Sequence, residues 1–232
     1  MLAQVNTFFT HDDGLDYRLT EDDAIKSIVE ALSSLNVRGL EDAVKKAIDA
    51  EIPSQKIMQE GIGKGVEEVG AKYERGEYFL SELVFAGHML KDAINLLKPV
   101  AGDKQIATSG KIVIGTIEGD LHDIGKNLVA YMLSGAGFEV HDLGVDVSAT
   151  DFAEAAKKLK PDVIGVSALL TTTMMKVGSV IEELEKCGLR GKVKVIVGGR
   201  PLTQGYADEI GADGYAKDAI EAVVKVKELI KT

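Results

Sequence analysis

Tryptophan is absent from the 232 residues, aromatics make up 5%, and there is a single cysteine. A core must therefore be assembled mostly from Leu, Ile, Val and Ala. The lone thiol, Cys187, excludes an internal disulfide and points to a reducing compartment. Basic excess is missing too: 27 Lys and Arg stand against 37 Asp and Glu, a formal net charge of -10. Such a chain lacks the electrostatic footprint of a nucleic-acid or anionic-membrane binder. No run approaches the ~18 consecutive apolar residues of a membrane span. The opening MLAQVNTFFTHDDG has no basic n-region and no sustained apolar h-region, so no signal peptide is expected and the cytoplasm is the expected compartment. What is present, 45% hydrophobic and 28% charged residues, is the balance of a globular protein. The length suggests one large or two small domains.

The hydrophobic period changes near residue 105, which divides the chain into domains 1–105 and 106–232. Residues 1–19 show no clear period. Thr20, with Asp23 three residues on, reads as an N-cap before a helical stripe of Ile25, Ile28, Val29, Leu32 and Leu35. Leu40, Val44, Ala47 and Ile48 form a second stripe. Pro53 suits the start of a third, Met58 to Tyr73, and Leu80 to Leu97 form a fourth, closed by Pro99, Ala101 and Gly102. Four amphipathic helices with short connections imply an antiparallel bundle. Glycines 61, 63, 65 and 70 are costly in a helix unless something packs closely there. Residues 99–110 read as a linker.

From residue 111 strands alternate with helices. KIVIGTI (111–117) is β-branched and continuous, as in a strand buried on both faces. Helix 125–136, strand 138–144, helix 150–160, strand 163–169, helix 172–187, strand 194–199, helix 203–211, strand 214–216 and helix 218–231 follow. Five βα units predict a doubly wound parallel sheet. Such sheets bind ligands beyond the C-terminal strand ends, at the switch point of strand order. Three of these ends are unusual: Glu118–Gly125 after strand one, Ser167–Thr173 after strand three, and Gly198-Gly199-Arg200-Pro201 after strand four. In a flavodoxin-like order, 2-1-3-4-5, all three loops meet in one crevice. No G-x-G-x-x-G or Walker Lys-Ser/Thr pair is present, and Gly61-x-Gly63-x-Gly65 lies inside a helical pattern. His122 could hold a transition metal through one nitrogen while the other donates to a carboxylate, for which Asp120 is the nearest candidate. The plainer alternative is a surface histidine beside an acid. His88, His141, Cys187, Met174 and Met175 read as structural, and Glu118 could face a ligand or only solvent.

The segment GDLHDIGKNLV (119–129), with SALLT (167–171) and VGG (197–199), resembles the D-x-H-x-x-G, S-x-L and G-G motifs of corrinoid proteins in methyltransferase systems. It is similar also to the cobalamin-binding module of methionine synthase. Tyr73 to Leu80, and the helix ending Leu97-Lys98-Pro99, resemble that family's helical cap, so the likeness covers about residues 20–232. It implies an α/β architecture, a four-helix cap before a flavodoxin-like (Rossmann-like) five-stranded parallel sheet. The implied cofactor is cobalamin or a related corrinoid, cycling between methylcob(III)alamin and cob(I)alamin. By resemblance His122 is the lower axial cobalt ligand in place of dimethylbenzimidazole. Asp120 and Ser167 complete a proton relay. Gly119, Asp123, Ile124, Gly125, Ser167, Leu169, Thr171, Gly198 and Gly199 line the cofactor and its nucleotide tail. Tyr73 and Leu80 lie over the methyl face, with ordinary bundle core as the alternative; Tyr73 replaces a more usual Phe. Arg200-Pro201 is a further departure from the family pattern. The implied role is a methyl carrier, not an enzyme on its own. Its implied partners are a substrate-specific methyltransferase, a second methyltransferase acting on tetrahydrofolate or a thiol, and a reductive activator. A mutase subunit using adenosylcobalamin and a cobalamin-sensing regulator are the alternatives. The helical cap opposes the first; the acidic charge and missing DNA-binding module oppose the second.

Overall fold

The computed structural model describes residues 20–101 and 108–231. Two compact units meet in sequence at the 107/108 boundary. The reading of residues 1–19 and the centre of the 99–110 linker lie outside the described residues.

The N-terminal unit is helical. Helix α1 (Glu21–Ser33) starts at Thr20, whose hydroxyl accepts the Asp23 N–H at 3.1 Å while the Asp23 carboxylate reaches back to the Thr20 N–H. This reciprocal cap satisfies donors that a helix start leaves open. Helix α2 (Val37–Asp49) is capped by Asn36. The third stripe is a sequence of three pieces: the short α3 (Ser54–Lys56) after Pro53, a π-helical stretch Ile57–Gly63, and α4 (Lys64–Glu74). Its glycines have the packing partner that their cost demands. A Cβ on Gly61 would meet Ile28 at 3.1 Å and one on Gly65 would meet Leu32 at 2.7 Å, so α1 lies directly against this face. Helix α5 (Leu80–Ala101) contains Pro99 rather than ending before it.

The C-terminal unit runs β1 (Lys111–Thr116), α6 (Ile124–Gly135), β2 (Glu139–Asp142), α7 (Ala149–Leu159), β3 (Val163–Ser167), α8 (Thr171–Met174), α9 (Val177–Lys186), β4 (Lys194–Gly198), α10 (Gln204–Glu209), β5 (Gly214–Ala216) and α11 (Ala219–Lys231). All neighbouring strands are parallel, in the order β2-β1-β3-β4-β5. Consecutive strands β1 and β2 lie to one side of the switch point, and β3 to β5 to the other. Ile112, Val113, Ile164, Val195 and Val197 are buried in the sheet, with Phe152 of α7 fully buried on one face. The helix expected over 172–187 is broken at Met175 and Lys176. There the Lys176 N–H donates to Thr173 O at 3.0 Å and the Ser179 N–H to Lys176 O at 3.1 Å. These three-residue bonds tighten the chain and interrupt the four-residue ladder.

Candidate metal centre at the strand ends

Register brings the three unusual loops together. Thr116, the last residue of β1, pairs with Ser167, the last of β3, and Ser167 pairs with Gly198, the last of β4. The chain therefore leaves three adjacent strands on one rung.

Asp120 turns inward from the first loop and is fully buried. Its Oδ1 accepts the His122 backbone N–H at 3.1 Å and the ring Nδ1 at 2.7 Å. Its Oδ2 accepts the Leu169 N–H at 2.7 Å, the Leu170 N–H at 3.3 Å and the Thr173 hydroxyl at 2.7 Å. Burial alone would raise the pKa of this carboxyl. The bonds from Thr173, the Leu169 N–H, and the ring and backbone of His122 outweigh it and hold the group ionised, well below the usual carboxylate range.

The His122 side chain is 52% exposed. With Nδ1–H donated to Asp120, the neutral ring presents Nε2 as its unprotonated, metal-ready nitrogen. The His122 carbonyl accepts the hydroxyl of buried Thr116 at 3.0 Å. Gly119, at φ +84°, donates its N–H to Asp146 at 2.6 Å. Asp123 accepts Asn127 Nδ2 at 3.0 Å. Buried Lys126 reaches Asp142 and Asn127, which ties the start of α6 to β2.

Around the ring, large apolar side chains are left uncovered: Leu121 at 71%, Ile124 at 69%, Leu169 at 40% and Leu170 at 41% exposed. Apolar exposure of this kind on a polar loop cluster marks a surface that takes an apolar partner or ligand. Among the described residues no group of three or more His, Cys, Asp and Glu side chains could hold a metal ion. One imidazole backed by a buried carboxylate, set in an apolar rim, fits a corrinoid.

Three expectations change. The hydroxyl that reaches Asp120 is that of Thr173, not Ser167. Ser167 ends β3 inside the sheet register, and the chain must turn through Leu169 and Leu170 before it meets the carboxylate. Thr171, expected to line the nucleotide tail, is exposed at the start of α8. Gly198 and Gly199 are closely approached by this chain's own backbone. A Cβ on Gly199, at φ +130°, would lie 1.8 Å from the Ala168 carbonyl oxygen, and one on Gly198 would lie 3.0 Å from the Ala216 carbonyl oxygen. Met175, expected as core, is 68% exposed. By contrast a Cβ on Gly125 would meet nothing within 4 Å. Glu118 pairs with Lys176 at 3.7 Å, and Arg200 is exposed beside Gly199.

In the N-terminal unit Tyr73 ends α4 half-buried, and Leu80 begins α5 at 61% exposure, beside Phe79 at 68%. Leu80 is thus not bundle core. The Tyr78 hydroxyl and Lys72 Nζ both donate to the Ser33 carbonyl at 2.7 Å, which fixes the turn that carries Phe79 and Leu80. His141 bonds Glu139 at 2.6 Å on β2.

A parallel sheet of this order, carrying a carboxylate-backed imidazole at its switch point, fits a cobalamin-binding domain. The B12 binding domain family matches residues 110–224, and a second family, also described as a B12 binding domain, matches residues 24–98. The chain is 46% identical over 209 residues to dimethylamine corrinoid protein 3 of Methanosarcina acetivorans, covering 89% of this chain and 96% of that one. It is 41% identical over 214 residues to trimethylamine corrinoid protein 2 of the same organism, covering 91% and 99%. Among solved structures, a cobalamin-binding protein from Desulfitobacterium hafniense is similar with a TM-score of 0.72 at 32% identity, covering 88% of this chain and 98% of that one. The methanol:cobalamin methyltransferase complex MtaBC from Methanosarcina barkeri is similar with a TM-score of 0.79 at 28% identity, covering 91% and 81%. The chain belongs to the corrinoid proteins, and its cofactor is a cobalamin or related corrinoid. Among the described residues no helix is long and apolar enough to cross a membrane.

Proposed function

We propose that this chain is the methyl carrier of a methylamine methyltransferase system, with His122 Nε2 as the lower axial ligand of cobalt. The observation that carries this reading is the 2.7 Å bond from His122 Nδ1 to the buried Asp120 carboxylate, which orients the ring and frees Nε2. The corrinoid, when bound, supplies a cobalt centre that takes up and gives away a methyl group. The protein's residues do the rest. Asp120 orients the imidazole. The buried charge of Asp120, held ionised by Thr173 and the Leu169 N–H, would keep its bond to Nδ1 whether or not Nε2 holds the metal. Leu121, Ile124, Leu169 and Leu170 keep water from the lower face. Gly125 leaves open space beside the ligand loop for the displaced nucleotide tail. The family resemblance assigns Tyr73 and Leu80 of the helical unit to the cofactor's cover between transfers; Phe79 precedes Leu80 in the same exposed turn.

The relatives named for dimethylamine and trimethylamine favour a methylated amine as donor, delivered by a separate amine methyltransferase. The acceptor side is a second methyltransferase acting on a thiol or tetrahydrofolate, with a reductive activator to restore the lowest oxidation state. The test is reconstitution with cobalamin, followed by single-turnover demethylation of dimethylamine in the presence of a dimethylamine methyltransferase. The expected result is methylation of the bound cofactor, lost in Leu80→Asp or His122→Ala far more than cofactor binding is. Failure to accept a methyl group from any mono-, di- or trimethylamine with its methyltransferase would overturn the donor assignment.

A further inference from the structure

Among the described residues the buried polar or charged side chains are Thr116, Asp120, Lys126 and Thr173. Burying such a group is costly unless it is hydrogen-bonded. Three of the four join in one hydrogen-bonded chain that runs through His122. Thr173 donates to Asp120, Asp120 holds the His122 N–H and ring, and Thr116 donates to the His122 carbonyl. The first two belong to the reading above. Thr116 does not: it touches neither the ring nor the carboxylate.

We propose that Thr116 is a positioning residue for the axial imidazole, acting through the main chain of His122; this rests on His122 being the cobalt ligand. Leu121, His122, Asp123, Ile124 and Gly125 are all exposed, so the loop is held by hydrogen bonds rather than by burial, and Thr116 supplies the one to the His122 carbonyl. Asp120 grips His122 on its N–H side. The ring can still swing on that grip if the peptide after His122 is free to rotate. Thr116 closes this freedom from the carbonyl side. It is itself rigid. Its N–H donates to Gly144 O at 3.0 Å, its carbonyl accepts the Val147 N–H at 2.9 Å, and it pairs with Ser167 in the sheet. A β-branched side chain on such a strand has few rotamers to choose from. The hydroxyl is therefore a fixed strut between the sheet and the ligand loop. A valine there would keep the shape and lose only the strut.

The experiment is a spectroelectrochemical titration of the Co(II)/Co(I) couple in cobalamin-loaded protein. Imidazole ligates Co(II) and is released on reduction to Co(I), so looser ligation makes the midpoint less negative. Thr116→Val and Thr116→Ala remove the hydroxyl, the first with volume kept; Thr116→Ser keeps it. One ordinary hydrogen bond corresponds to about a fivefold loss of ligation. At 59 mV per tenfold for one electron, that loss is a shift of about 40 mV. Thr116→Val and Thr116→Ala are expected to shift together by this amount, with Thr116→Ser at the wild-type value and His122→Ala beyond both. Should Thr116→Val match wild type while His122→Ala shifts, the strut is overturned and the ligand stands. A shift in Thr116→Ser and Thr116→Ala but not Thr116→Val would follow volume rather than the hydroxyl and overturn it too. An unchanged midpoint in His122→Ala would overturn the ligand itself.

Discussion

The ring of His122 and the carboxylate of Asp120 are joined at 2.7 Å, and the same Oδ1 accepts the His122 backbone N–H at 3.1 Å. One buried oxygen thus fixes both the position and the tautomer of the imidazole. Asp120→Asn keeps the shape but removes the charge that all five donors share. Hydrogen bonds to a charged group are worth about 1.5–3 kcal/mol each. The apoprotein is expected to lose about 3 kcal/mol or more of stability, read as a lower urea midpoint with the slope unchanged. A midpoint equal to wild type would contradict the assigned role of this carboxylate.

The same group sets an acid limit. Its pKa in the fold lies below the ordinary value, because the hydrogen bonds outweigh burial. Its stabilisation is fully present above the unfolded pKa of about 4 and is lost as pH falls towards the folded value. Urea unfolding of the apoprotein between pH 6 and pH 3 should show wild type losing stability below pH 4 more steeply than Asp120→Asn. Parallel curves would show that other carboxyls carry the acid sensitivity.

Thr173 and Ser167 can be told apart. Thr173→Val leaves the Asp120 charge short of one buried donor and is expected to cost about 1–3 kcal/mol. Thr173→Ser should recover most of the loss. Ser167→Ala is expected to stay within about 0.5 kcal/mol of wild type, in the range of changes that break no buried bond. The same ranking should appear in how readily imidazole is released from the loaded protein.

Much of this site was legible in the sequence, because strand ends and loop spacing are local properties. Continuous β-branched runs located β1, β3 and β4, and the two-residue spacing of Asp120 and His122 placed both in one tight loop. Thr173 was not legible. Three threonines in succession give no local sign of which one turns inward, and the choice is made by a carboxylate 53 residues away. The tertiary origin of the Gly199 constraint was hidden for the same reason: the clash is with Ala168, on the neighbouring strand's exit. Leu80 fits the apolar period of α5, yet it precedes Leu83, where burial starts. Periodicity gives the face of a helix but not where along it the core begins.

Two glycines should then behave oppositely. Gly199→Val would drive a Cβ into the Ala168 carbonyl at a backbone angle that valine rarely adopts. The C-terminal unit is expected to lose its native near-ultraviolet circular dichroism or to unfold at much lower urea. Gly125→Ala meets open space inside a helix, so the apoprotein should be unchanged or gain up to about 1 kcal/mol. Cobalamin binding, measured by titration of the apoprotein, should nevertheless weaken. Undiminished affinity in Gly125→Ala would remove that space from the cofactor site.

The central claim is that His122 Nε2 ligates cobalt from below. Electron paramagnetic resonance of the Co(II) form, prepared with ¹⁵N-histidine in the protein and unlabelled cobalamin, tests it most directly. The expected spectrum has each cobalt line split into a doublet by one ¹⁵N nucleus, and His122→Ala abolishes that splitting. A triplet from ¹⁴N in the labelled protein would mean that the cofactor's own base remains on the metal, and the account would be wrong.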